Sequence, residues 1–182
     1  MARKPATARD DAPTRTDLRQ RLTVAIAALA VLLSCVGGVW WRVTLASSAG
    51  DVAVDKQETL ALKQRWQASY DAIVPIAKDF TATAASGTID VATYSRRIEA
   101  ARTIVDSISD VPVTVSENRQ VRDSMLSGAS KVLDGMDALL QAAASNDTSS
   151  VETAVVAIDE GSTTLKEAGA ALDAKIAAKG WR

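Results

Sequence analysis

An uncharged run of twenty residues, Leu22 to Trp41 (LTVAIAALAVLLSCVGGVWW), constrains this chain more than any other feature of it. Wound as a helix it rises about 30 Å, close to the hydrocarbon thickness of a bilayer, so it is long enough for one crossing. Six cations (Arg3, Lys4, Arg9, Arg15, Arg19, Arg21) and three anions (Asp10, Asp11, Asp17) precede it, whereas Arg42 and then Lys56 are the next cations after it. The positive-inside bias therefore predicts a cytoplasmic N-terminus and an extracytoplasmic remainder. Trp40, Trp41 and Arg42 are the expected interface residues, because amphipathic rings and a basic head group suit the headgroup layer.

Two rival readings of the same run concern processing. Ala46, Ser47, Ser48 and Ala49 offer the small residues of a signal-peptidase site, but a signal core is usually about 7 to 15 residues and is not followed by a basic residue like Arg42. Leu32-Leu33-Ser34-Cys35 is similar to a lipobox, which makes Cys35 the candidate lipidation residue. Val36 to Trp41 stay apolar where a lipoprotein has a polar tether, so a retained signal-anchor at residues 22–42 is the preferred reading.

The expected organisation is a disordered basic tail (1–21), the transmembrane helix (22–42), a linker (43–52) and one domain (53–182), a size that supports its own core. Of the 21 Lys and Arg, seven lie at or before Arg42, and of the 22 Asp and Glu three do, so the external part has 14 cations, 19 anions and a net charge of about −5. That sign argues against nucleic acid as a partner. The chain has no histidine and its single cysteine is Cys35, which excludes disulfide stapling and a His/Cys zinc site in the domain.

Apolar residues beyond the linker recur at helical spacing. Leu62, Trp66, Tyr70, Ile73, Ala77 and Phe80 form one stripe of a helix at about 53–85, with a kink expected near Pro75 rather than a stop. Val91, Tyr94, Ile98, Ala101, Val105 and Ile108 alternate three and four apart over a second helix at 89–110, which Thr88 or Asp90 can cap. Pro112 ends it. Thr114 and Glu117 have the spacing of a capping box and open a third helix, 115–144, with the stripe Val121, Met125, Gly128, Val132, Gly135 and Leu139. Ser149 and Glu152 repeat that spacing before a fourth helix, 149–179, whose seam sets Val151, Ile158, Leu165 and Leu172 seven apart, with Ala154, Gly161 and Ala168 between. Four helices on short connections predict an all-α, antiparallel, up-down-up-down four-helix bundle behind the membrane helix. An even helix count returns the C-terminus to the membrane end, so Trp181 and Arg182 are also expected at the interface.

Candidate sites are few. Trp66 and Tyr70 lie one turn apart near Arg65, and Arg96 and Arg97 follow Tyr94, a set that could wall an anionic or aromatic ligand or a partner. The same aromatic residues occupy predicted seams, where core packing is the ordinary role. Gly128, Gly135, Gly161 and Gly169 each cost a helix about 1 kcal/mol relative to alanine, which implies either close helix approach or a ligand-sized gap. Small residues at these positions also suggest a mobile half formed by the third and fourth helices. Asp134, Asp137, Asp159 and Glu160 lack the histidine partners of a di-iron bundle and read as a solvated face. Ser and Thr have no histidine to activate them, so no enzyme, cofactor or metal is expected.

The leading functional expectation is a non-enzymatic single-pass protein of the cell membrane. It would act through contacts of its helical bundle, as an accessory or assembly subunit beside the bilayer and another membrane or envelope protein. At the level of fold, the arrangement resembles the extracytoplasmic helical bundles of bacterial chemoreceptors, a likeness that implies a ligand-binding sensor-like module and carries over no residues. No second apolar run follows the fourth helix. A lipid carrier using the glycine-lined gap is the remaining alternative.

Overall fold

The computed structural model describes residues 49–86, 89–145 and 147–181. The run from Leu22 to Trp41 lies outside them, as do the N-terminal tail, Cys35, Trp40, Trp41, Arg42, Gly87, Thr88 and Arg182. No helix among the described residues is long and apolar enough to cross a membrane.

The described chain is all-α. Four helices follow in order: α1 (Ala49–Ser86), α2 (Val91–Asp106), α3 (Ser116–Ser145) and α4 (Thr148–Lys179). α1 begins inside the expected linker and continues through Pro75, whose missing donor does not end the helix. α2 is shorter than its apolar period suggests. Beyond Asp106 the backbone tightens into three-residue hydrogen bonds, with the Ile108 amide donating to Val105 O at 2.9 Å and the Val111 amide to Ile108 O at 3.2 Å. Ile108 is nevertheless fully buried, so the seam outlasts the helix.

Local chemistry sets the other boundaries. Asp90 caps α2 by accepting the Thr93 amide at 3.1 Å. Asp147, not a Ser149/Glu152 box, caps α4: its carboxylate accepts the Ser149 and Ser150 amides. These bonds, above all those from the Ser150 and Ser149 side chains, hold the Asp147 pKa down at about 2. Gly180 ends α4 at φ 64°, a left-handed cap that glycine adopts without a Cβ clash.

The helices run antiparallel to their chain neighbours. Arg97 on α2 meets Asp79 on α1 at 2.8 Å, while Arg65, lower on α1, donates to Ser107 beyond the far end of α2. Gly128 faces Gly161 and Gly135 faces Ala154, so α4 descends as α3 climbs. Lys63 meets Asp173, and Trp66 meets Leu165 and Gly169, along α1 and α4. One core fills the space between the four helices, with Leu62, Ile73, Ile108, Met125, Leu133, Leu139, Leu140 and Leu172 fully buried.

α3 and α4 form the closest pair. A Cβ on Gly128 would lie 2.7 Å from the Leu165 amide nitrogen, and one on Gly135 would lie 2.9 Å from Ala154 O. The glycines thus let two backbones meet, and the space imagined as a gap is occupied by the neighbouring helix. The α3/α4 pair, expected to be a mobile half, is packed backbone to backbone at these glycines.

Candidate functional site

The residues singled out as a ligand wall separate into two unrelated places. Trp66 is buried, stacks on Tyr70 with ring centroids 5.2 Å apart, and donates its indole N–H to Leu165 O at 2.9 Å. Its ring fills the space over Gly169, where a Cβ would lie 2.6 Å from Nε1, and Lys63 covers it at 4.1 Å from the centroid. Arg97 is spent on Asp79 and on the face of Tyr94, 5.6 Å away, and Arg96 bonds within its own helix to Ala92 O and Thr93 Oγ1. Thirteen residues separate Trp66 from Asp79 along α1, about 20 Å of helix, so the Trp66 and Tyr70 rings share no wall with the guanidinium group of Arg97. Phe80 meets Tyr94 edge-on at 5.3 Å, again as core.

Other expected features take structural roles. Trp181 is 8% exposed, and Arg182 beside it lies outside the described residues. Asp134 pairs with Arg102 at 2.6 Å and Glu160 with Lys131 at 3.2 Å, so these carboxylates tie α3 to α2 and to α4. No group of three potential ligand side chains gathers for a metal ion among the described residues. Beside α3 lies a shallow groove lined by Ser116, Arg119, Gln120, Asp123, Ser124, Ser127 and Thr164. Its Asp123 is engaged by Arg122 at 3.1 Å, the ordinary arrangement of an exposed helix face.

The polar side chains that do converge are at the end of the bundle where α1 begins. Glu58, 6% exposed, reaches from α1 to the start of α3. Its Oε1 accepts the Thr114 amide at 2.7 Å and the Thr114 hydroxyl at 2.6 Å; its Oε2 accepts the Val115 amide at 3.2 Å and Asn118 Nδ2 at 3.1 Å. Burial pushes the Glu58 pKa up, but the bonds from Thr114, Asn118 and Val115 outweigh it and hold the carboxyl below its ordinary 4.5. A carboxylate here also complements the positive end of the α3 dipole.

This arrangement replaces the expected Thr114/Glu117 capping box. The Thr114 hydroxyl is a donor to Glu58 and Glu117 turns to Lys175 at 3.4 Å, because a carboxylate from another helix reaches the free amides first. Lys175, from the last turns of α4, completes the cluster. Its ammonium meets Asp55 at 2.6 Å and donates to Asn118 Oδ1 at 2.9 Å, while Thr59 donates to Asn118 Oδ1 at 3.2 Å. Asn118 is fully buried, with both ends of its amide satisfied.

No family model, curated protein or solved structure matches this chain. The side chains themselves must carry the functional reading. What the cluster offers chemically is cohesion: donors and acceptors are matched, and no nucleophile stands beside a free base. Its signal in the sequence was phase. Glu58 and Thr59 lie four and three residues before Leu62, Asn118 three before Val121, and Lys175 three after Leu172, so each is a polar residue on an apolar seam.

Proposed function

We propose that this protein works without catalysis, through contacts made by the outer surface of its helical bundle. The bundle would act as an accessory or assembly subunit, held at a membrane by residues 22–42 and displayed on the extracytoplasmic side. One observation carries the reading: the glycine seam, the one place where a ligand gap between helices was expected, is filled by α4 backbone and by the Trp66 ring. With that space taken, the outer faces are what remains for recognition. The chain's length, apolar run and charge bias supply the membrane part.

Extraction of the full chain in mild detergent tests this. The reading expects a stable complex with a second protein in fixed stoichiometry, and recovery of the chain alone counts against it. A thermal-shift panel of metabolites and lipids on the same preparation separates the sensor and carrier alternatives, which require stabilisation by a small molecule.

A further inference from the structure

The cluster around Glu58 joins three helices and one connection at a single end of the bundle, and it is built from groups that change charge with pH. α1 contributes Asp55 and Glu58, α3 contributes Glu117, and α4 contributes Lys175. The connection contributes the Thr114 hydroxyl and the amides of Thr114 and Val115, none of which titrates below neutrality. Two of the three carboxylates, Asp55 and Glu117, meet the one ammonium, and Glu58 is linked to it through Asn118. The remaining negative charge is met by neutral donors and by the N-terminus of α3.

An added proton on Glu58 disturbs a filled set of bonds: four donors already point at its two oxygens, and only the Thr114 hydroxyl among them can turn to accept a carboxylic O–H, while the Thr114 and Val115 amides and Asn118 Nδ2 would face a neutral and weaker acceptor. Beside it, Asp55 Oδ1 accepts from Asn118 Nδ2 at 3.0 Å and meets the Lys175 ammonium at 2.6 Å, so the same buried amide joins both carboxylates. The α3/α4 seam differs in kind: at Gly128, Gly135 and Gly161 it is backbone against backbone and aliphatic side chain, and the ion pair beside it, Lys131–Glu160, is exposed and worth little.

We propose that the Asp55–Glu58–Asn118–Lys175 cluster is an acid-opened latch, whose protonation releases the connection before α3 and the first turns of α1 while α3 and α4 stay paired. The bonds that keep Glu58 ionised hold the latch shut at neutral pH, and acid below the ordinary carboxylate range opens it.

Hydrogen–deuterium exchange of the full chain in detergent, at about pH 7, 5, 4 and 3 and corrected for intrinsic rates, tests this. The expected result is roughly tenfold or greater loss of protection in residues 51–60 and 107–118 at a pH where residues 125–165 remain protected. Glu58→Gln, which places an amide donor among donors, should expose the connection already at pH 7 and remove its pH dependence. Lys175→Met removes the ammonium that meets Asp55, Glu117 and Asn118 and should lower protection of residues 51–60 already at pH 7. Simultaneous loss across all four helices overturns the proposal, and so does a connection that stays protected at pH 3 or a Lys175→Met variant in which residues 51–60 stay as protected as in the parent.

Discussion

Gly161 and Gly128 meet so closely that a methyl group on Gly161 would sit 2.7 Å from the Gly128 carbonyl oxygen, and one on Gly128 would sit 2.9 Å from that of Gly161. Each glycine sacrifices helix propensity so that α3 and α4 can touch through their backbones. Alanine at either position must push the helices apart, at about 2 kcal/mol despite its better propensity. Urea unfolding of Gly128→Ala and Gly161→Ala should show this loss. Gly50→Ala is the internal control: nothing lies within 4 Å of the added Cβ, and the variant should gain up to about 1 kcal/mol.

Trp66 and Gly169 form a second size-matched pair. Gly169→Ala should destabilise the bundle by about 2 kcal/mol, because the rigid indole, fixed by its bond to Leu165 O, cannot move aside. Trp66→Ala should cost about 4 kcal/mol. The coupling is the test: in a double-mutant cycle, the Gly169→Ala penalty should shrink toward zero in the Trp66→Ala background, and additive penalties would refute the pairing.

Acid should destabilise the domain through Glu58. Its pKa is lower folded than unfolded, so its contribution is complete above the ordinary 4.5 and fades as pH falls through the depressed folded value. Melting temperature should therefore decline below about pH 4.5, and Glu58→Gln should flatten that decline while lowering stability at neutral pH by about 2 kcal/mol, the cost of mismatched buried donors. Asp147 adds a second loss of the same sign, between its ordinary 3.8 and about 2, which Asp147→Asn should remove while keeping the cap.

Ser162 offers a gain. Its hydroxyl is buried without a hydrogen-bond partner, so Ser162→Ala should raise stability by about 1 kcal/mol in thermal or urea unfolding.

The helices were legible because their seams are strictly periodic: Val91 to Ile108, and Val151 to Leu172, announce α2 and α4 by spacing alone. The α3/α4 contact was legible from Gly128 and Gly135 one heptad apart. The cap of α3 was not, since Glu58 lies 56 residues before Thr114 and local spacing favoured Glu117. Long-range competition for the same amides decided between them. Nor could spacing reveal that Trp66 and Arg97 face different neighbours, because a shared helix period fixes a face but not the height at which two helices meet.

The central claim is that the outside of the bundle does the work, and site-specific photo-crosslinking in native membranes tests it most directly. Val54, Ile104 and Val156 are the large apolar side chains that stay exposed among the described residues. With a photoreactive residue at each in turn in the full chain, the account predicts a covalent adduct of one defined mass with a second protein from at least one position. Illumination that yields only the uncrosslinked chain from all three positions would contradict it.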